Sequence, residues 1–101
     1  MKKTVFAAAA LGMALSGPAL AASQKETSCI HQAAIVAAVQ QARLDRVKER
    51  AVPQAVQAQA TWPESFNTAI PLVTPWVYQM KMRDVKTNDL AAAWKEMCLS
   101  Q

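Results

Sequence analysis

Two cysteines, one histidine, five methionines, seven carboxylates and six aromatic rings are the side chains with which this 101-residue chain could do chemistry. Cys29 and Cys98 come first, because two cysteines allow only one intramolecular pairing. Their spacing is unlike a C-x-x-C redox motif or a zinc ribbon. A structural disulfide therefore ranks ahead of an intermolecular bridge or a reactive or metal-binding thiol pair. Joined, the two enclose about 70 residues, which in the loop-entropy model stabilises the fold by roughly 4 kcal/mol.

The remaining groups point away from catalysis. His31 is the sole histidine, so any His-based triad or His-rich metal site is limited to this residue, and a solvated or capping role is the plainer reading. Met80-x-Met82, together with Met97 and His31, offers soft ligands of the kind Cu(I) favours. Residues two apart on a helix diverge, however, so core filling by Met80 and Met97 is the stronger explanation, and neither metal nor cofactor is expected. Asp45 and Glu49 lie one helical turn apart, yet Arg46, Lys48 and Arg50 surround them. A general acid–base pair needs two environments that push the pKa values apart, whereas this looks like one solvated face on which Arg46 and Glu49 could pair. Serines and threonines sit mainly at helix starts, with no nucleophile–base pairing. The only glycines, Gly12 and Gly17, lie near the N-terminus. Glycine-rich phosphate loops and dinucleotide fingerprints are thereby excluded from the rest of the chain, and a small β-barrel with tight hairpins is disfavoured. An enzyme is not expected.

The aromatic residues carry the best binding signal. Trp62, Phe66, Trp76 and Tyr78 fall within 17 residues of proline-broken chain, and Trp94 follows. In an alanine-rich core such rings are the main space-filling groups. The functional alternative is that some of these four are exposed and anchor a partner, since Trp and Tyr dominate binding hot spots.

These residues must be positioned by a short chain, part of which reads as a leader. Met1-Lys2-Lys3, an apolar run from Val5 to Leu15, and Ala19-Leu20-Ala21 have the layout of a secretory signal peptide over residues 1–21. Cleavage is expected after Ala21, with Ala22 the next choice. The run is too short to span a bilayer comfortably, so no stable membrane insertion is expected after cleavage, and export to a bacterial periplasm or beyond is predicted. Without Lys2 and Lys3, nine basic residues face seven acidic ones. A surplus of two does not imply nucleic acid as a partner.

Residues 22–101 then form one small helical domain. Ser23-Gln24-Lys25-Glu26 fits a capping box, and no proline or glycine interrupts the chain from there to Arg50. Ile30, Ala33, Ala37, Leu44, Val47 and Ala51 recur at helical spacings and form the predicted inner face, interrupted by Gln40 and Gln41. Pro53 is expected to end or kink that helix. Residues 54–60 read as a short helix with a strand-like alternative. Pro63 would start another helix that Pro71 stops, and Thr74-Pro75 would start the next. Residues 77–82 fit a helical turn or, less well, a strand, and 84–88 a polar connection. Thr87 or Asn88 would cap a last helix carrying Leu90, Trp94, Met97 and Cys98. The predicted fold is all-α: one long N-terminal helix packed against several short, proline-started helices, with the first and last joined by Cys29–Cys98.

The resulting expectation is a small exported, non-enzymatic protein that holds another protein, as an inhibitor, immunity factor or accessory subunit. In size, export and paired cysteines the chain also resembles the acid-stress periplasmic chaperones, in which two cysteines likewise join helices. No residue motif is shared with them, so the resemblance implies only an alternative, acid-activated chaperone role. A copper or other metal carrier is the weaker third reading.

Overall fold

The computed structural model describes the backbone from Lys2 to Gln101 and the side chains from Ser23 to Gln101. The segment read as an export signal, with its cleavage site at Ala21, lies outside the residues described in full. Five α-helices make up the fold: α1 (Lys2–Leu44), α2 (Val52–Gln57), α3 (Ile70–Tyr78), α4 (Met82–Thr87) and α5 (Leu90–Leu99). Two 3₁₀ segments, Glu49–Ala51 and Glu64–Ala69, lead into α2 and α3. Strands are absent among the described residues, so 54–60 and 77–82 take no part in a sheet.

The long helix ends earlier than its proline-free sequence predicts. Asp45 and Arg46 turn the chain, and Arg46 adopts the left-handed conformation at φ 63°. The Val47 amide donates to the Ala42 carbonyl at 2.9 Å and the Arg46 amide to the Arg43 carbonyl at 3.1 Å. This is the Schellman pattern, which satisfies carbonyls that the helix end would otherwise orphan. Glycine usually holds the left-handed position; here an arginine does. The early stop also parts Arg46 from Glu49, and the only ion pair among the described residues is Arg83–Asp84. At the other end, the backbone is helical straight through Ser23. No capping box forms there, and the Ser23 carbonyl accepts from the Thr27 hydroxyl instead.

The buried face of α1 is rotated from the predicted one. Cys29, Ala33, Ile35, Val36, Val39 and Ala42 are buried, whereas Ile30 is 46% exposed and Ala37 and Ala51 face solvent. The predicted series followed alanines at helical spacing. The observed face is broader because α1 packs against all four other helices and is covered from more than one side. Val52 and Val56 of α2, Trp62, Ile70, Val73 and Val77 of α3, Val85 of α4 and Leu90 of α5 complete the core.

The prolines act one step earlier than the sequence suggests. Pro53 lies in the first turn of α2 and Pro71 in the first turn of α3, where no intrahelical amide bond is lost. Pro71 therefore starts a helix rather than stopping one. Pro75 lies inside α3, and Thr74 is a buried mid-helix residue whose hydroxyl donates to the Ile70 carbonyl at 2.6 Å. The expected connection over 84–88 belongs largely to α4. Thr87 and Asn88 bond back to the Arg83 and Asp84 carbonyls, and the cap of α5 is Asp89, whose carboxylate accepts from the Ala92 amide at 3.0 Å.

Four ties set the C-terminal segment that carries α5 antiparallel to α1. Lys25 meets the Gln101 carbonyl, Cys29 is bonded to Cys98, Gln32 accepts from the Trp94 indole, and Gln40 donates to the Asn88 carbonyl. Each step forward along α1 is a step back along the C-terminal segment. The disulfide has an S–S distance of 2.02 Å and a Cα–Cα distance of 5.7 Å. It joins the first and last helices as predicted.

Candidate functional site

The four aromatic residues singled out from the sequence are turned toward the core. Trp62 is only 7% exposed, and its indole N–H donates to the Asn67 side-chain oxygen at 2.8 Å. Phe66 is half-buried against His31, with ring centroids 5.0 Å apart. Trp76 packs on Trp94 at 5.3 Å and 60°, a tilted geometry favourable to both rings. Tyr78 donates its hydroxyl to the Val47 carbonyl at 2.6 Å while the Arg43 guanidinium lies 5.1 Å from its ring centre. Burial pushes the Tyr78 phenol above its ordinary value of 10.0; Arg43 opposes that rise and Glu49 adds to it. These rings fill space between helices and do not gather into one exposed patch.

Other residues form the accessible apolar surface. Leu72 on α3 is 74% exposed and Met97 on α5 is 47% exposed. Both border a groove beside the disulfide. One part, about 440 Å³, is lined by Gln32, Trp94, Met97 and Cys98. An adjoining part, about 340 Å³, shares Gln32 and Trp94 and reaches Phe66 and Leu72. Phe66 and Trp94 thus contribute their edges to a surface whose most prominent side chain is Leu72. Leu72 was legible in principle: the buried positions of α3 are 70, 73, 74 and 77, which places 72 on the opposite side once Pro71 is taken as the helix start.

A second hollow, about 630 Å³, opens next to Leu72. Pro53, Pro71 and Pro75 form its apolar wall with Thr74, and Lys48, Glu49 and Arg50 form its rim. Pro53 and Pro71 sit in the first turns of α2 and α3, and Pro75 lies inside α3. The first turn of α3 separates this cleft from the groove, with Pro71 on one side and Leu72 on the other.

Among the described residues, no three His, Cys, Asp or Glu side chains gather to hold a metal ion. Met80 and Met82 pack against the core, while Met97 lies on the outer part of α5. His31 is engaged with Phe66. What the arrangement offers is shaped apolar surface beside the disulfide and along α3. No helix among the described residues is long and apolar enough to cross a membrane. The chain matches no protein-family model, no curated protein and no solved structure.

Proposed function

We propose that this chain is a non-enzymatic interaction protein that holds another protein on the outer face of α3, serving as an inhibitor, immunity factor or accessory subunit. The observation that carries this reading is Leu72. It is a large apolar side chain 74% exposed to solvent in a domain whose core is made mostly of valine and isoleucine. It takes no part in the core and is free to contact a partner. Beside it, the groove edged by Phe66 and Trp94 supplies the aromatic surface typical of binding hot spots. The docking residues are thus shifted from the aromatic quartet to Leu72 and its neighbours, with Phe66 common to both.

Export is part of the proposal. The leader-like segment over residues 1–21 supports it, and a disulfide suits an oxidising compartment such as the periplasm. The chaperone alternative calls for a fold that opens in acid as paired carboxylates take up protons. The one ion pair among the described residues, Arg83–Asp84 at 3.9 Å, is a weak driver for such opening, which favours the interaction reading.

The test is Leu72→Lys. Its side chain is mostly in solvent, so the thermal midpoint should stay within about 2 °C of wild type, as surface substitutions change stability little. Affinity capture from periplasmic extract, wild type against variant, should retain a stoichiometric protein that the variant loses by about tenfold or more. Equal retention by both would remove the α3 face from the proposal.

A further inference from the structure

We infer that the cleft walled by Pro53, Pro71 and Pro75 receives an acidic, aromatic-bearing peptide segment of the partner, whose ring packs on the prolines while its carboxylates meet Lys48 and Arg50. The inference rests on the interaction reading above and names the chemistry of what is held.

Charge and shape argue for this occupant. One side of the cleft is uncharged: α3 contains no ionisable acid or base apart from Tyr78, and Pro53 extends the apolar wall from α2. The opposite rim carries two exposed cations, Lys48 and Arg50, and one carboxylate, Glu49. Neither cation has a carboxylate partner within salt-bridge distance among the described residues. Glu49 lies close enough to Tyr78 to act on its phenol, and on that side Arg43 counters it. The next carboxylate upstream, Asp45, accepts from Gln41 and faces a different hollow. The rim therefore presents a positive surplus to whatever enters.

A peptide brings side chains suited to the apolar wall formed by Pro53, Pro71 and Pro75. The cleft is open to solvent and, at about 630 Å³, has room for an aromatic side chain to lie against the prolines. The cleft also adjoins Leu72 across one turn of α3, so a single segment could engage both.

The experiment is a titration of the purified chain with a fluorescent ten-residue peptide bearing a central Trp flanked by Asp and Glu. Saturable binding is expected below about 1 mM. A version with lysines in place of the acids should not bind, and one with Gly in place of Trp should bind more weakly. Lys48→Glu/Arg50→Glu should weaken the acidic peptide by about tenfold or more, whereas Lys86→Glu, away from the cleft, should not. On the wild-type chain, raising salt from about 50 to 500 mM should weaken binding too, an independent readout that needs no variant. No saturable binding, equal binding of the lysine peptide, or indifference to both charge reversal and salt would overturn the inference. Failure here with Leu72-dependent capture intact would leave the α3 reading standing. Peptide binding that survives in a chain whose Leu72→Lys variant still captures the partner would separate the two the other way.

Discussion

The Tyr78 hydroxyl donates to the Val47 carbonyl, 31 residues upstream, and so ties the end of α3 to the chain leaving α1. Its ring supports the Arg43 guanidinium, a contact favourable by cation–π attraction. Because burial raises its pKa, the folded chain holds the neutral phenol more firmly than the unfolded chain does. The associated stability is present in full below the ordinary value of 10.0 and is lost as pH rises through the higher folded value. Tyr78→Phe should lower stability near neutral pH by about 1 kcal/mol through the lost hydrogen bond. It should also flatten the alkaline decline. Urea midpoints measured from about pH 8 to 11.5 test both effects; an unchanged alkaline slope would contradict this role for Tyr78. Gln40 makes a related point about single residues. In the sequence it interrupts an apolar series, yet its amide donates to the Val85 and Asn88 carbonyls and ties α1 to the end of α4.

Helix ends decide how the elements meet. The left-handed residue that closes α1 is Arg46, and an L-residue with a Cβ costs roughly 1–2 kcal/mol in that conformation. Arg46 is exposed and makes no ion pair among the described residues. Arg46→Gly should therefore raise stability by about 0.5–1 kcal/mol, after allowance for the greater freedom of glycine in the unfolded chain. Arg46→Val should lower it, because a β-branched residue fits that region worst. Thermal melts of the pair measure the difference, and a Gly variant no more stable than wild type would argue against strain at this turn. The same turn explains why the end of α1 was illegible. With no glycine past Gly17 and no proline between Pro18 and Pro53, nothing local marks residue 44 as a stop. The packing of Val47 and Tyr78 against the core selects it. Pro71, by contrast, was legible as a boundary but not as to which side of it the helix lies, since proline serves both ends of a helix.

Across the whole molecule, the Cys29–Cys98 bond spans 69 residues and closes α5 onto α1. The last helix buries little of its own: Leu90 is its one fully packed apolar residue, and Trp94 is half-buried. Beyond Trp94, the disulfide is the main tether. Reduction, or the Cys29→Ser/Cys98→Ser variant, should cost about 4 kcal/mol. For a chain of this size that corresponds to a fall of about 15–30 °C in the thermal midpoint. Circular dichroism melts with and without a dithiol reductant measure it. A shift of only a few degrees would mean that α5 is held chiefly by packing and by the Gln32–Trp94 bond.

The helical class and the pairing of the two cysteines followed from residue types and their order, whereas which prolines open a helix did not. The class and the pairing rest on local or combinatorial rules: missing glycine and one possible partner for each thiol. The sequence alone also led to Trp62, Phe66, Trp76 and Tyr78 as the residues of interest, but it could not say which way they face. That was decided in three dimensions. Their rings fill the gaps left by small valine and alanine side chains around α1, while Leu72, one residue past a helix-starting proline, is left outside. Orientation depends on which helix covers which, and only the assembled fold carries that information.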